Sequence, residues 1–440
     1  GPAQLKQLAA LLGLETRDLR RKLEDTSRDF IYLKRQIAPE AAEQVARLGI
    51  EGVYQHREYR RYYPGGEVTA HVVGFTGVDE AGQEGVELAF EARLGGTPGS
   101  RRVIKDRRGR VVEDVESIRA AQDGRDLQLS IDGKIQSLAY AALKGAVAAH
   151  KAKAGALVAI DVRSGEVLAL ANVPSFNPNN RARLAGAQLR NRAVTDVFEP
   201  GSTLKPFTVA LALESGRVSP SSLVHIGSGG LRIANYTIQD PHAETVLSVA
   251  QVIQKSSNVG AARVALALRR EDLWSLFDRA GFGAAPQIGF PGEASGRLRP
   301  AETWRPIEQA TMAYGHGISV SLLQLARAYT LFARDGELVP ATLLKSDVPA
   351  RGSRVISAQT ARQVRAMLEL AVQPGGTAPR ARIMGWRVAG KTGTAHKQEN
   401  GGYAEDKYIA SFVGFAPASA PRLVVAVMID EPANGQYFGG

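Results

Sequence analysis

The 440-residue chain is 44% apolar and 22% charged and has no cysteine. That composition provides for two or three domains with real cores. It excludes disordered and fibrous classes, and with them disulfides, thiolate catalysis and cysteine-based metal sites. Lys and Arg number 55 against 44 Asp and Glu, leaving +11, which points to an anionic partner (nucleic acid, a membrane surface or an anionic polymer) or to nothing beyond solubility. No run approaches the roughly 18 apolar residues of a membrane helix, and no signal peptide is evident. The opening Gly1-Pro2 has the form of a protease scar, so a native N-terminal anchor is expected to have been removed, and the closing QYFGG reads as a truncation too.

Residues 4 to 48 read as helical. Leu5, Leu8, Leu11 and Leu12 share a face, and EAAEQVARL runs up to Gly49 as a C-cap. From Tyr54 to about Val112 the chain is basic, with REYRRYYP (57–64) and SRRVIKDRRGR (100–110). HVVGFTG (71–77) suggests strands between turns, and AQDGRD (121–126) a domain boundary. Leu127, Leu129 and Ile131 then alternate, and a helical pattern runs from Lys134 to Ala149. GALVAID (155–161) and EVLALAN (166–172) form a hairpin across the Arg-Ser-Gly turn. From about Pro178 to Leu370 the pattern is mostly helical with Gly/Pro loops, and strand-like runs return at 386–393, 408–416 and 422–429. These imply one antiparallel sheet built from both ends of a long segment, with a helical insertion between. There is no internal repeat and no low-complexity tract.

GWRVAGKTGTA (385–395) satisfies the phosphate-loop pattern G-x-x-x-x-G-K-[ST] with Gly385, Gly390, Lys391 and Thr392, and LVVAVMIDE (423–431) resembles the acid-ended strand that often accompanies it. The pattern also requires a helix to start at the lysine, so that its N-terminus faces the phosphates. Here Trp386 and Val388 alternate as in a strand. Gly393, the threonines and QENGG make a poor helix, and a turn between two strands fits better. The nucleotide reading fails on context.

The same lysine completes a second set. Ser202-Thr203-Leu204-Lys205, Ser256-Ser257-Asn258 and Lys391-Thr392-Gly393 are, in order, the patterns of active-site serine enzymes that react with penicillin. Each has an ordinary explanation alone: a helix N-cap, a polar break between helices, a solvated turn lysine. Conjunction, order and placement carry the signal. EPGSTLKPFTVALALE (199–214) reads as a turn entering a helix, so Ser202 and Lys205 share one face and the serine feels the positive end of the helix dipole. SVAQVIQKSSN (248–258) is an amphipathic helix that leaves Ser256 and Asn258 in an inter-helix loop. Pro206 is discordant, because it removes an N–H that would bond the Ser202 carbonyl. No G-x-S-x-G, no H-E-x-x-H and no pattern among the seven histidines offers an alternative.

With these motifs, REYRRYYPGGEVTAHVVGFTG, GQEGVELAFEARLGGTPG, KDRRGRVVED, NVPSFNPNN, EPGSTLKP, QKSSNVG and VAGKTGTA resemble, almost end to end, the class B penicillin-binding proteins, in particular the septal, cell-division peptidoglycan D,D-transpeptidases of Gram-negative bacteria. The chain departs from them after Gly315-His316-Gly317, where Ser321-Leu322 replaces the usual Thr-Pro. The resemblance implies an α+β multidomain chain. Residues 124–440 would form the penicillin-binding transpeptidase (serine β-lactamase-like) fold, a five-stranded antiparallel sheet flanked by helices with a helical subdomain. Residues 1–123 would form an N-terminal α+β pedestal or dimerisation domain. It implies Ser202 as nucleophile and Lys205 as base, provided Lys205 is neutral; burial and the nearby Lys391 would favour that form. Ser256 would relay a proton and Asn258 would bind the substrate amide. Thr392, Gly393 and Thr394 would meet the terminal carboxylate, and the Ser202 and Thr394 N–H groups would form the oxyanion hole. Tyr408, Tyr437 and Phe438 match aromatic positions of the family's cleft, with sheet packing as the alternative.

The implied partners are stem peptides ending in D-Ala-D-Ala, an acceptor strand, β-lactams as covalent inhibitors, and a membrane glycosyltransferase with other division proteins. No cofactor, metal or nucleic acid is called for. The implied location is the bacterial inner membrane, held by the single N-terminal anchor, with the catalytic domain in the periplasm. A D,D-carboxypeptidase, a β-lactam-hydrolysing enzyme, a β-lactam sensor and a silent division scaffold are the alternatives. The basic N-terminal runs read equally as partner-binding or as solvated surface.

Overall fold

The structure, a computed structural model, describes residues 1–440 apart from 26, 28, 29, 106–110, 183, 228, 229, 241–243, 400, 401, 436, 437 and 440. The chain forms two compact units. One comprises Gly1–Pro64 and Gly74–Arg125, the other Gly65–Val73 and Asp126–Gly440. Among the described residues no helix is long and apolar enough to cross a membrane.

In the first unit the expected helical stretch breaks into Pro2–Leu12, Thr16–Glu24 and Pro39–Arg47. Gly13 takes a left-handed conformation (φ 61°) that closes the first helix, a position glycine fills without steric cost. Proline fits the first turn of the third helix, where its missing N–H is no loss. Leu8, Ala9, Leu12, Leu19 and Val45 are the shared core. HVVGFTG is not the strand expected. His71 to Val73 end a helix of the second unit, Gly66–Val73, and only Phe75–Thr76, in the first unit, is extended. Gly74, at φ 75°, makes the break. Ser100–Lys105 and Val111–Arg119 pair antiparallel.

The second unit is built on the sheet that the sequence implies. In chain order its strands are β1 (Ala154–Asp161), β2 (Val167–Val173), β3 (Ala389–Glu399), β4 (Gly402–Ala416) and β5 (Leu423–Asp430). The spatial order is β3-β4-β5-β1-β2, and every pair is antiparallel. The ends of the segment therefore meet at β5 and β1, and the helical insertion lies between β2 and β3. Leu157, Ala159, Ala169 and Ala171 pack with Tyr140, Leu143 and Val147 of helix α1 (Gly133–Ala149). The alternate residues Ala156, Val158 and Ile160 are equally buried, on the opposite face by strand periodicity. Burial on both faces is why GALVAI is an uninterrupted apolar run. The alternation at Leu127 to Ile131 produces no strand, only an isolated bridge from Leu129 to Leu344.

The start of β3 also differs from expectation. Ile383 to Trp386 form a turn around Gly385 (φ 78°), and Trp386 is exposed. The strand begins at Ala389 and continues through the polar residues to Glu399. As an edge strand, β3 can place polar side chains on its outer part without burying them.

The opposite edge of the sheet is closed by a side chain. Gln136 of α1 is fully buried. Its amide accepts from the Leu170 N–H at 2.8 Å and donates to the Leu170 carbonyl at 2.9 Å and the Val68 carbonyl at 2.7 Å. It thus stands in for a neighbouring strand at β2. Gln136→Leu leaves those backbone groups unpaired, which costs about 2–4 kcal/mol. Thermal denaturation should show a drop of several degrees; an unchanged melting temperature would contradict the edge-closing role.

Candidate active site

Ser202 stands in a 3-10 turn, Gly201–Leu204, that runs directly into helix α2 (Lys205–Glu214). This turn resolves the difficulty with Pro206. The Lys205 N–H donates to the Ser202 carbonyl, so the bond that proline would deny an α-helix is already replaced by a tighter one. Pro206 is then the second residue of α2, where no intrahelical acceptor waits for its N–H.

Helix α3 (Val249–Lys255) ends at Ser256, which adopts left-handed backbone (φ 62°, ψ 39°), a strained choice for a residue with a side chain. Ser257 caps helix α4 (Asn258–Leu266), its Oγ accepting from the Gly260 N–H at 2.8 Å. Asn258 is thus the first helical residue rather than part of the loop. The left-handed turn directs both oxygens of Ser256 at one point, the Lys205 amine.

Lys205 Nζ lies 2.6 Å from Ser202 Oγ, 2.7 Å from the Ser256 carbonyl oxygen, 2.8 Å from Asn258 Oδ1 and 3.1 Å from Ser256 Oγ. Lys391 Nζ donates to Ser256 Oγ at 2.9 Å and to the Thr392 carbonyl at 3.3 Å. All five residues in the catalytic expectation therefore form one connected cluster. Both lysines have 0% exposure. Burial, and then the charge of Lys391, hold Lys205 well below the usual lysine value, with Asp240 pulling weakly the other way. Burial alone lowers Lys391 to about 7.

The contacts also dictate how a neutral Lys205 would orient. An amine has two N–H donors and one lone pair. The Ser256 carbonyl accepts only. Asn258 Nδ2 donates to the Gln239 carbonyl at 3.3 Å, which turns Oδ1 toward the lysine. These two oxygens take both N–H groups, and the lone pair is left facing the Ser202 hydroxyl.

Strand β3 packs against the Ser202 turn through glycines. A methyl group on Gly393 would meet Ser411 Oγ at 2.5 Å and the Pro200 carbonyl at 2.7 Å. One on Gly315 would meet the Gly201 carbonyl at 2.2 Å. The backbone of Thr394 faces Gly201, with its O and N at 3.0 and 3.5 Å from a methyl placed there. Thr392 Oγ1 lies 2.9 Å from Thr377 Oγ1, and Thr394 Oγ1 accepts from the Gly439 N–H at 3.1 Å. The Tyr408 ring lies tilted against His396 (ring centroids 4.5 Å) and its hydroxyl reaches the Glu405 carbonyl at 3.4 Å. Phe438 is exposed, and Tyr437 lies outside the described residues.

Several residues of the site belong to no motif. The Asp240 carboxylate accepts from Ser257 Oγ and from the Asn258 and Val259 N–H groups at 2.5 and 3.1 Å, fixing the start of α4. Tyr329 donates to the Thr203 carbonyl at 2.7 Å and braces the turn from below. The Tyr314 ring lies 5.9 Å from Lys205 Nζ. Nothing in the sequence marks them, since each is joined to the motifs only by the fold. The departure at Ser321-Leu322 is harmless: Ser321 caps helix α5 (Leu322–Ala333), accepting from the Gln324 N–H at 3.2 Å while Gln324 Oε1 accepts from the Ser321 N–H at 2.7 Å, a complete capping box.

A serine against a buried lysine, joined through a second serine to a buried lysine on an edge strand, is the arrangement of the penicillin-reactive serine enzymes. The chain belongs to the penicillin-binding protein transpeptidases: residues 155–440 match the penicillin binding protein transpeptidase domain, and residues 2–129 match the penicillin-binding protein dimerisation domain. It is 45% identical over 440 residues to the probable peptidoglycan D,D-transpeptidase PenA of Neisseria gonorrhoeae, covering 100% of this chain and 75% of that protein. It is 45% identical over 411 residues to the peptidoglycan D,D-transpeptidase FtsI of Escherichia coli K12, covering 93% of this chain and 69% of that protein. The apo structure of the TP domain of Burkholderia pseudomallei penicillin-binding protein 3 is 53% identical, with a TM-score of 0.66 over 71% of this chain and 91% of that one.

The buried lysines leave a signature in stability. Unfolded Lys391 keeps its proton to about 10.5, whereas folded Lys391 releases it near 7. Between those values the unfolded chain binds more protons, so folding stability rises with pH. Relative to Lys391→Met, the wild type should gain stability between pH 7.5 and 9.5 in urea titrations. Parallel pH profiles would contradict the assignment.

Proposed function

We propose that this chain is a serine-type peptidoglycan D,D-transpeptidase that cross-links stem peptides during septum synthesis, through an acyl-enzyme on Ser202, and that β-lactams acylate the same serine. The observation that carries the reading is the 2.6 Å contact between Ser202 Oγ and a fully buried lysine amine. A serine hydroxyl is a weak nucleophile until a base accepts its proton, and a lysine kept neutral by burial is such a base.

In the first half-reaction Ser202 Oγ attacks the carbonyl of the penultimate D-alanine while Lys205 Nζ takes the hydroxyl proton. The tetrahedral oxyanion is met by the Ser202 and Thr394 N–H groups, each worth on the order of 3 kcal/mol. The C–N bond breaks, and D-alanine leaves with a proton passed from Lys205 through Ser256 Oγ, which touches both lysines. In the second half-reaction an amine of a neighbouring strand attacks the ester. Its proton returns by way of Lys205 and Ser202 Oγ is released. Lys391, with Thr392 and Thr394, receives the terminal carboxylate, and Asn258 holds both the substrate amide and Lys205. The coupled lysines need not share one charge state. Lys391, lowered only to about 7, is the one suited to stay positive beside an anion.

Relatives named FtsI and PenA support a septal setting. On that basis the location is the periplasmic side of the inner membrane, held by an N-terminal anchor, and the first unit serves division-protein partners, including a membrane glycosyltransferase. Intact mass after exposure to benzylpenicillin should show a single persistent adduct, absent in Ser202→Ala and slowed by about a thousandfold or more in Lys205→Met. An unmodified wild-type protein would overturn the reading. Rapid loss of the adduct with accumulation of opened drug would indicate a hydrolase of the same fold.

A further inference from the structure

Glu199 takes no part in the steps above, yet it is buried immediately ahead of the Ser202 turn. Two other buried glutamates each have a cation: Glu166 has Lys345 at 3.0 Å and Glu87 has Arg61 at 3.3 Å. Among the described residues Glu199 has only neutral donors. Its carboxylate accepts from the Gly317 N–H at 2.8 Å, the Gln398 amide at 2.9 Å and the Tyr403 hydroxyl at 3.0 and 3.1 Å. Burial pushes this carboxyl up, and the three donors pull it back down. A carboxylate without a counter-charge is tolerated out of water only while such donors stay in place.

The donors come from places far apart in the chain. Gly317 belongs to the loop whose Gly315 lies against Gly201. Gln398 and Tyr403 belong to the outer end of the β3–β4 hairpin, beyond the register shift between His396 and Gln398. There Lys397 is held separately by Asp430 at 2.8 Å and Glu431 at 2.6 Å, so the hairpin end is pinned on two sides. The Tyr403 ring stands 6.3 Å from His316, and His316 stands 5.1 Å from Tyr314, the ring beside Lys205.

We propose that Glu199 is a positioning residue, a buried carboxylate latch that docks the outer β3–β4 hairpin onto the Ser202 turn and so fixes how Lys391 and Thr394 stand against Ser202. The inference rests on Ser202 being the acylated residue. Gly317, Gln398 and Tyr403 all donate to one oxygen, Oε1, and only the Tyr403 hydroxyl reaches the other, so a glutamine could keep these bonds, whereas Glu199→Leu has a similar volume and no acceptor and opens the latch. Tyr403→Phe removes one hydroxyl from a half-exposed ring and leaves the core untouched.

The test is the rate constant of acylation by benzylpenicillin at saturation, with pre-acylation affinity and melting temperature measured alongside. Glu199→Leu should acylate about tenfold more slowly and Tyr403→Phe severalfold more slowly. Affinity should change less than twofold, and the melting temperature of Tyr403→Phe should hold. The double variant should be no slower than Glu199→Leu alone, because both changes remove the same contact. Wild-type rates in both single variants, or losses that multiply in the double variant, overturn the latch. A wild-type protein that takes up no drug overturns the Ser202 reading and the latch with it.

Discussion

The amine of Lys205, with no access to water and oxygens on every side, is the constraint that the rest of the second unit is arranged around. A charged ammonium in that position would pay heavily for desolvation, and Lys391 next to it raises the cost. Both effects favour the neutral amine. The Ser256 carbonyl and Asn258 Oδ1 then claim its N–H groups, and the lone pair is directed at Ser202. In the proposed mechanism, nucleophile activation needs no histidine and no carboxylate partner. It needs a lysine buried firmly enough that losing its proton is cheaper than keeping it.

The fold keeps that burial reproducible by bringing backbones together where side chains would intervene. Gly201, Gly315 and Gly393 allow the Ser202 turn, the 315–317 loop and β3 to touch directly. Tyr329 braces the turn through the Thr203 carbonyl, and Asp240 fixes the start of α4. Substitutions that widen these contacts should act on the lysine by admitting water, well before they unfold the sheet. This is also why β3 must be an edge strand: one side pairs with β4, and the other remains free to face Ser202.

The motifs were legible because their chemistry is local: Ser202 and Lys205 are neighbours on one helical turn, and Lys391 sits on a run that reads as a strand. The β1–β2 hairpin and the origin of the sheet in both ends of the segment followed from apolar patterning. Boundaries were less legible where a single residue decides them. Gly13 ends a helix that apolar periodicity alone would continue, Gly74 turns HVVGFTG from strand into helix end, and Gly385 holds Trp386 in a turn ahead of β3. The phosphate-loop match failed for a related reason, since Lys391 lies inside a strand that runs to Glu399 rather than at the head of a helix. Asp240, Tyr329 and Glu199 had no legible signal at all, because each acts on a motif distant in sequence through contacts that exist only in three dimensions. Pro206 was legible as a conflict and became intelligible only with the 3-10 turn.

The central claim is that Lys205 is neutral in the resting protein while Lys391 retains its proton longer. The most direct measurement is the side-chain NMR titration of the lysine 13Cε and 15Nζ resonances in the full chain, with Lys205→Met and Lys391→Met used for assignment. The account predicts a neutral-amine shift for Lys205 at pH 7.5 and a titration of Lys391 centred near 7. A Lys205 resonance that stays in the ammonium range to pH 9 would contradict it.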